Sequence, residues 1–225
     1  MKKLLALTLT LFASIVSAND GPSSEFQNWM SINTNVYLTD KVRAFLEVSP
    51  RLTENQTNLS TGILRPAIGY DLTDNWTVWA GYVMIASNKP NDNNYNFEQQ
   101  SYQQLTYRTT IGNTNYELRN ALEERYLPSD VGFRTRNRLR AEYIFPNQNT
   151  WSLVGYDEIF MNFNDVSASN VRSGAAQNRA YVGVGYRFNT NVQLETGYMN
   201  QYVWNKGDVY DQSNHIWSSS LNLNF

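Results

Sequence analysis

The stretch GFRTRNRLRAEYIF, residues 132–145, places Arg134, Arg136, Arg138 and Arg140 on alternate positions, with Phe133, Leu139, Ala141, Tyr143 and Phe145 in the gaps. Side chains at i, i+2 and i+4 of a strand share a face, so as a strand this segment is cationic on one side and largely apolar on the other. As a helix it would scatter the same residues around the axis. A soluble sandwich would bury the apolar face and wet the arginines. A membrane barrel would do the reverse, turning the apolar face to lipid and enclosing the guanidiniums.

The ends and the composition narrow that choice. MKKLLALTLTLFASIVSA opens with two lysines and an apolar run, and ends in the small residues Ser17 and Ala18. That is the pattern of a secretory signal peptide cleaved after Ala18, which leaves residues 19–225 as one expected domain. No cysteine occurs, so an exported chain of this size is held without disulfides. Removing Lys2 and Lys3 leaves 16 basic against 20 acidic residues, which gives no reason to expect nucleic acid. Mean hydropathy is −0.52, and no apolar run of helix-spanning length follows Ala18. Any membrane residence must be by strands.

Short turn signals recur at 39–41 (TDK), 73–75 (TDN), 112–115 (GNTN), 146–149 (PNQN) and 189–191 (NTN), and longer polar stretches lie between them at 54–58, 88–97, 127–131, 162–176 and 204–212. Tight turns alternating with longer loops mark an outer-membrane barrel, whose short turns face the periplasm. Eleven strand candidates fall between these signals: 27–38, 41–53, 59–72, 75–87, 98–111, 114–126, 132–145, 150–161, 177–188, 191–203 and 213–225. Bacterial single-chain barrels have even strand numbers. The expectation is therefore ten to twelve strands, with residues 19–26 supplying a partial extra strand or one candidate lying outside the wall.

Alternate positions sort into two faces. One collects Val42, Leu46, Val48, Leu64, Ile68, Val78, Val182, Val184, Leu221, Leu223 and Phe225, and is expected to face lipid. The other collects Arg43, Arg65, Arg108, Arg119, the four arginines of the opening stretch, Glu142, Arg179, Arg187 and Glu195, along with Glu47, Arg51, Glu117, Glu123 and Arg125. Asp157 and Glu158 join this proposed lumen charge network, although neighbours in a regular strand face opposite ways; pairing with Arg179 is the expected role. Tyr37, Tyr70, Trp76, Tyr143, Trp151 and Phe188 sit beside the proposed periplasmic turns, as an interfacial girdle requires. Leu221, Leu223 and Phe225 close the chain in the alternating pattern with a terminal aromatic, resembling the signal that outer-membrane barrels present to their assembly machinery.

RTRNRLR, then GYDEIF with Asp157 and Glu158, QNRAYVGVGYRF with Arg179, LETGYMNQ with Gly197 and Tyr198, and SNHIW with His215 resemble a bacterial family catalogued as a domain of unknown function, number 2490, and expected to be an outer-membrane barrel. The resemblance implies the fold and no activity.

Arginine can chelate carboxylates on neighbouring strands, so an Arg/Glu lumen either fills as a hydrogen-bonded network or leaves a pore with weak anion preference. His215 is the only histidine, so a lipid hydrolase or acyltransferase built on an imidazole base must use it, with Ser213 and Ser219 as nearby hydroxyls. Without cysteine, and with one histidine, no metal and no other cofactor is expected. The reading is a closed antiparallel transmembrane barrel of a Gram-negative outer membrane, structural or a narrow passive pore. The expected partners are outer-membrane lipid, lipopolysaccharide and the barrel-assembly machinery, with the protein itself a monomer. The alternatives are the His215 lipid enzyme and a soluble periplasmic β-protein.

Overall fold

The computed structural model describes residues 23–53, 58–88, 95–128, 130–146, 150–169, 171–205 and 211–225. The expected signal peptide, its cleavage site and most of the 54–58 and 88–97 loops lie outside these residues. Eleven strands follow in order: β1 (Ser23–Tyr37), β2 (Val42–Thr53), β3 (Asn58–Asp71), β4 (Trp76–Ser87), β5 (Asn96–Ile111), β6 (Thr114–Tyr126), β7 (Val131–Ile144), β8 (Trp151–Asn162), β9 (Gly174–Arg187), β10 (Val192–Val203) and β11 (Gln212–Asn224). Each pairs with its sequence neighbours, and β1 pairs with β11, so the sheet closes into a barrel.

Local chemistry sets the hairpins. In the first turn Thr39 Oγ1 accepts from the Val42 amide at 3.0 Å, and Thr73 Oγ1 accepts from the Trp76 amide at 3.1 Å in the second. Asn189 Oδ1 does the same for Val192 at 3.0 Å. Each side chain satisfies an amide that the ladder leaves open at the bend. Between β5 and β6 only Gly112 and Asn113 intervene, and Gly112 has φ of 60°, the left-handed geometry of a two-residue hairpin. All these turns lie at one end of the barrel. The longer connections lie at the other.

The expectation of an even strand number is corrected here. All eleven candidates are in the wall; of the 19–26 segment, residues 23–26 lengthen β1 and residues 19–22 lie outside the described residues. Hairpin connection reverses direction at every step, so an odd count brings the first and last strands together in parallel, and β1 runs parallel to β11 from Ser23–Gln212 to Asn35–Asn224. The chain therefore enters β1 at the long-loop end and leaves β11 at the short-turn end. Phe225 takes part in the closure: its amide donates to Asn35 O at 2.9 Å, and its carbonyl accepts from Tyr37 N at 2.8 Å.

The wall is apolar outside. Val48, Leu64, Ile68, Val182, Val184 and Phe225 are all exposed on it. Trp76, Tyr143, Trp151 and Phe188 are exposed near the short turns, where Trp76 packs on Tyr107, Tyr143 on Phe145, and Tyr186 on both Trp151 and Phe188. Inside, two apolar clusters occupy part of the lumen. One joins Trp29, Val154, Tyr181, Met199 and Ile216, and the other joins Ile63, Ala67, Trp79, Val83 and Tyr102.

The inward rings need bare backbone beneath them. Gly81 pairs with Tyr102 across β4 and β5, and a Cβ built on Gly81 would lie 2.5 Å from the Tyr102 ring. Gly81→Ala should therefore force this buried ring out of place and cost about 1–3 kcal/mol, as overpacking generally does. Urea unfolding of the refolded protein in lipid vesicles checks this; an unchanged midpoint would mean that Tyr102 moves freely.

Candidate functional site: the charged interior

Because β7 alternates strictly, its four arginines project inward together, and the strands on either side supply carboxylates at matching heights. Arg134 Nε donates to Glu123 on β6 at 2.7 Å, and Arg138 pairs with Glu117 on the same strand. Arg136 donates from Nε to Glu158 Oε1 on β8 at 2.8 Å and from Nη2 to Oε2 at 3.1 Å. Arg140 reaches its own strand's Glu142 at 3.3 Å and crosses to Glu195 on β10 at 2.7 Å. The forked guanidinium makes these multiple contacts possible, since each offers five donors in a plane.

Glu158 is the centre of the set. Its side chain is 2% exposed and accepts from Arg119 as well as Arg136, with Arg179 3.7 Å away. Three cations thus converge on one buried carboxylate. Glu142 is a second convergence point, accepting from Ser152 at 2.9 Å and Gln193 at 2.7 Å, with Arg187 at 3.8 Å. Toward the short-turn end Arg43 pairs with Asp71 and Arg108 with Glu117 at 2.8 Å, and at mid-height Arg65 pairs with Glu47 at 2.7 Å. Near the long-loop end Arg125 holds Glu98 at 2.7 Å and 3.0 Å.

Two arginines sit differently. Arg51 lies 3.7 Å over the Trp29 ring, and among the described residues no carboxylate comes within ion-pair distance of it. Arg179 lies over the same indole at 4.9 Å and over Phe160 at 4.7 Å. Ring faces partly replace a carboxylate for such cations. These two guanidiniums border a cavity of about 380 Å³ lined by eight arginines and five glutamates.

One assignment is corrected. Asp157 does not belong to the interior: it is exposed on the outer wall, where both its oxygens accept from Asn178 Nδ2 at 3.1 Å. Strict alternation allows only one of two adjacent carboxylates inside, and the register gives that place to Glu158. Arg179 accordingly faces Glu158 rather than Asp157. His215 is also on the outer wall, exposed, with Nδ1 2.5 Å from Tyr198 Oη. The hydroxyls near it are engaged elsewhere, Ser213 by Asn200 at 3.0 Å and Ser219 by Thr196 at 2.8 Å. Leu221 and Leu223 lie on the outer wall of β11, where they flank the closing ladder. Among the described residues no cluster of metal-ligating side chains occurs.

Asp71, Glu98 and the inward aromatics Trp29, Trp79, Tyr102 and Tyr181 escape a search for alternating charge. Asp71 is legible in hindsight as the acid that ends β3 beside the turn. The rings carry no such signal, because an apolar residue facing inward looks like a break in the pattern.

Removing the central carboxylate should be costly. Glu158→Leu would leave Arg119 without its buried carboxylate and Arg136 with only Glu123 at 3.8 Å, and the expected loss is about 3–5 kcal/mol. Arg138→Leu, at a pair less deeply buried than Glu158, should cost less. Urea midpoints of the two variants in lipid vesicles give the comparison, and a loss below about 1 kcal/mol for Glu158→Leu would mean that water takes over the pairing.

An uncharacterized protein of Methylorubrum extorquens is 31% identical to this chain over 206 residues, covering 88% of each. Two solved structures of OmpT, an outer membrane protein of Vibrio cholerae, align over 79% of the chain at 16% and 14% identity, with TM-scores of 0.42 and 0.40. The chain spans 57% and 61% of the length of those two barrels. Residues 26–214, most of the barrel just described, match the model of the family described as Protein of unknown function (DUF2490), and the chain belongs to that family.

Proposed function

We propose that the protein is an integral outer-membrane barrel that acts as a narrow passive conduit with a weak preference for anions. The observation that carries the reading is the makeup of the interior cavity, where eight arginines face five glutamates. The unbalanced positive charge sits inside a low-dielectric wall, which focuses its field along the axis. The ion pairs and the two apolar clusters narrow the path, so any current should be small. Membrane residence is supported by the apolar exterior, the aromatic band at the short-turn end and the closure of every strand, which together leave the wall no unpaired edge. By the same logic the short turns face the periplasm, and lipid and lipopolysaccharide surround the wall.

Planar-bilayer recordings of refolded protein under a potassium chloride gradient test this reading. Small steps with a reversal potential displaced toward chloride are expected, and Arg51→Glu should move that potential toward zero. Silence, or a displacement toward potassium, would contradict it.

The His215 lipid enzyme is the second reading, kept in view because Ser213 and His215 share the outer face of β11. The hydrogen bonds on that face favour a structural role, since His215 is bonded to a phenol and both serines are bonded to other residues. Mass spectrometry of outer-membrane lipids should therefore give the same profile for cells expressing wild type, His215→Asn or neither. A deacylated or transacylated lipid found only with wild type would make His215 catalytic.

A further inference from the structure

The outer wall is not uniformly apolar. Over β2, β3 and β4 the outward positions are almost all apolar, among them Leu46, Val48, Leu64, Ile68, Val78 and Met84. Over β6 to β9 they are interrupted in mid-strand. Asn120 on β6 and Asn137 on β7 face each other and hydrogen bond at 2.7 Å. Asp157 follows on β8, and Asn178 on β9 donates to it. Asp157 stands six residues beyond the start of β8 at Trp151, Asn120 six beyond the start of β6, and Asn137 seven before the end of β7. At about 2.5 Å of height per residue in a tilted strand, all three lie about 15–18 Å above the short turns, near the middle of an apolar band about 25 Å tall. Their cross-strand neighbours are mixed: Asp157 pairs with Ala180 on one side and Leu139 on the other, Asn137 pairs with Ile159, and Ala141 pairs with Gly155 next along the seam.

No lipid headgroup reaches this depth, and an acidic side chain facing hydrocarbon is costly there. We propose that this patch is covered by a second copy of the chain in a two-fold dimer within the membrane, which rests on the membrane reading above and replaces the monomer expected from sequence. The patch is complementary to itself. It carries an acceptor, Asp157, beside amide donors at the same height, Asn137 and Asn120. A two-fold axis parallel to the membrane normal preserves depth, and an axis passing between β7 and β8 sets Asp157 of each copy opposite Asn137 of the other.

The chain has no cysteine, so single thiols report cleanly. Asn137→Cys and Asp157→Cys proteins are refolded, mixed in one bilayer and oxidised with copper–phenanthroline. Ile68→Cys, on the apolar side, serves as the collision control. The mixed pair is expected to crosslink at least ten-fold faster than the control. Wild type should sediment as a dimer in mild detergent, and Asp157→Leu combined with Asn137→Leu should sediment as a monomer that still shows the heat-shifted gel mobility of a closed barrel. Equal crosslinking at Ile68, a wild-type monomer, or a dimer indifferent to the double change would each overturn the proposal. Failure of wild type to fold in detergent or lipid at all would instead overturn the membrane reading, and the two failures are thereby told apart.

Discussion

The parallel ladder between β1 and β11 is the contact on which the rest of the structure depends. It pairs the backbone groups of the two strands that would otherwise be edges, and in hydrocarbon an unpaired amide costs several kcal/mol. Once the sheet is closed, the two-residue period of a strand separates an inside from an outside everywhere at once. The four arginines of β7 then have no choice of environment. They share an enclosed space with the carboxylates of β6, β8 and β10, and they are tolerable there because almost every guanidinium finds an acid or an aromatic face.

That enclosed network is a balance of two large terms. Desolvating so many charges is expensive, and only good geometry and multiple contacts per group offset it. Glu158, with three arginines around it, shows how the offset is reached: the carboxylate is fully buried, yet both of its oxygens accept. The arrangement is also imbalanced toward positive charge around the cavity. That imbalance is what turns a packing device into the basis for a functional reading, since a wall held together by equal numbers of opposite charges would favour no ion.

Much of this was legible in the chain itself. Turn chemistry is local, so Thr39, Thr73 and Asn189 mark their bends without help from the fold. Alternation is local too, and the RTRNRLR strand declares its two faces unaided. What escaped depends on residues far apart in sequence. Strand parity is decided by whether residues near 23–35 meet residues near 212–224, which no local pattern records. The choice between Asp157 and Glu158 is decided by register against β7 and β9. Trp79 and Tyr102 face inward over Gly69 and Gly81, and Trp29 faces inward beneath the Arg51 guanidinium, whereas their apolar character alone points the other way.

The central claim is that the apolar face looks out to lipid and the charged face looks in, and the most direct measurement is a scan of spin labels along β2. Each position from Ala44 to Ser49 is replaced in turn by cysteine in the refolded barrel and labelled, and its collision rate with dissolved oxygen, which concentrates in hydrocarbon, is read in lipid vesicles. The account predicts high oxygen access at positions 44, 46 and 48 and low access at 45, 47 and 49, a strict period of two. A flat profile, or the same alternation inverted, would contradict it.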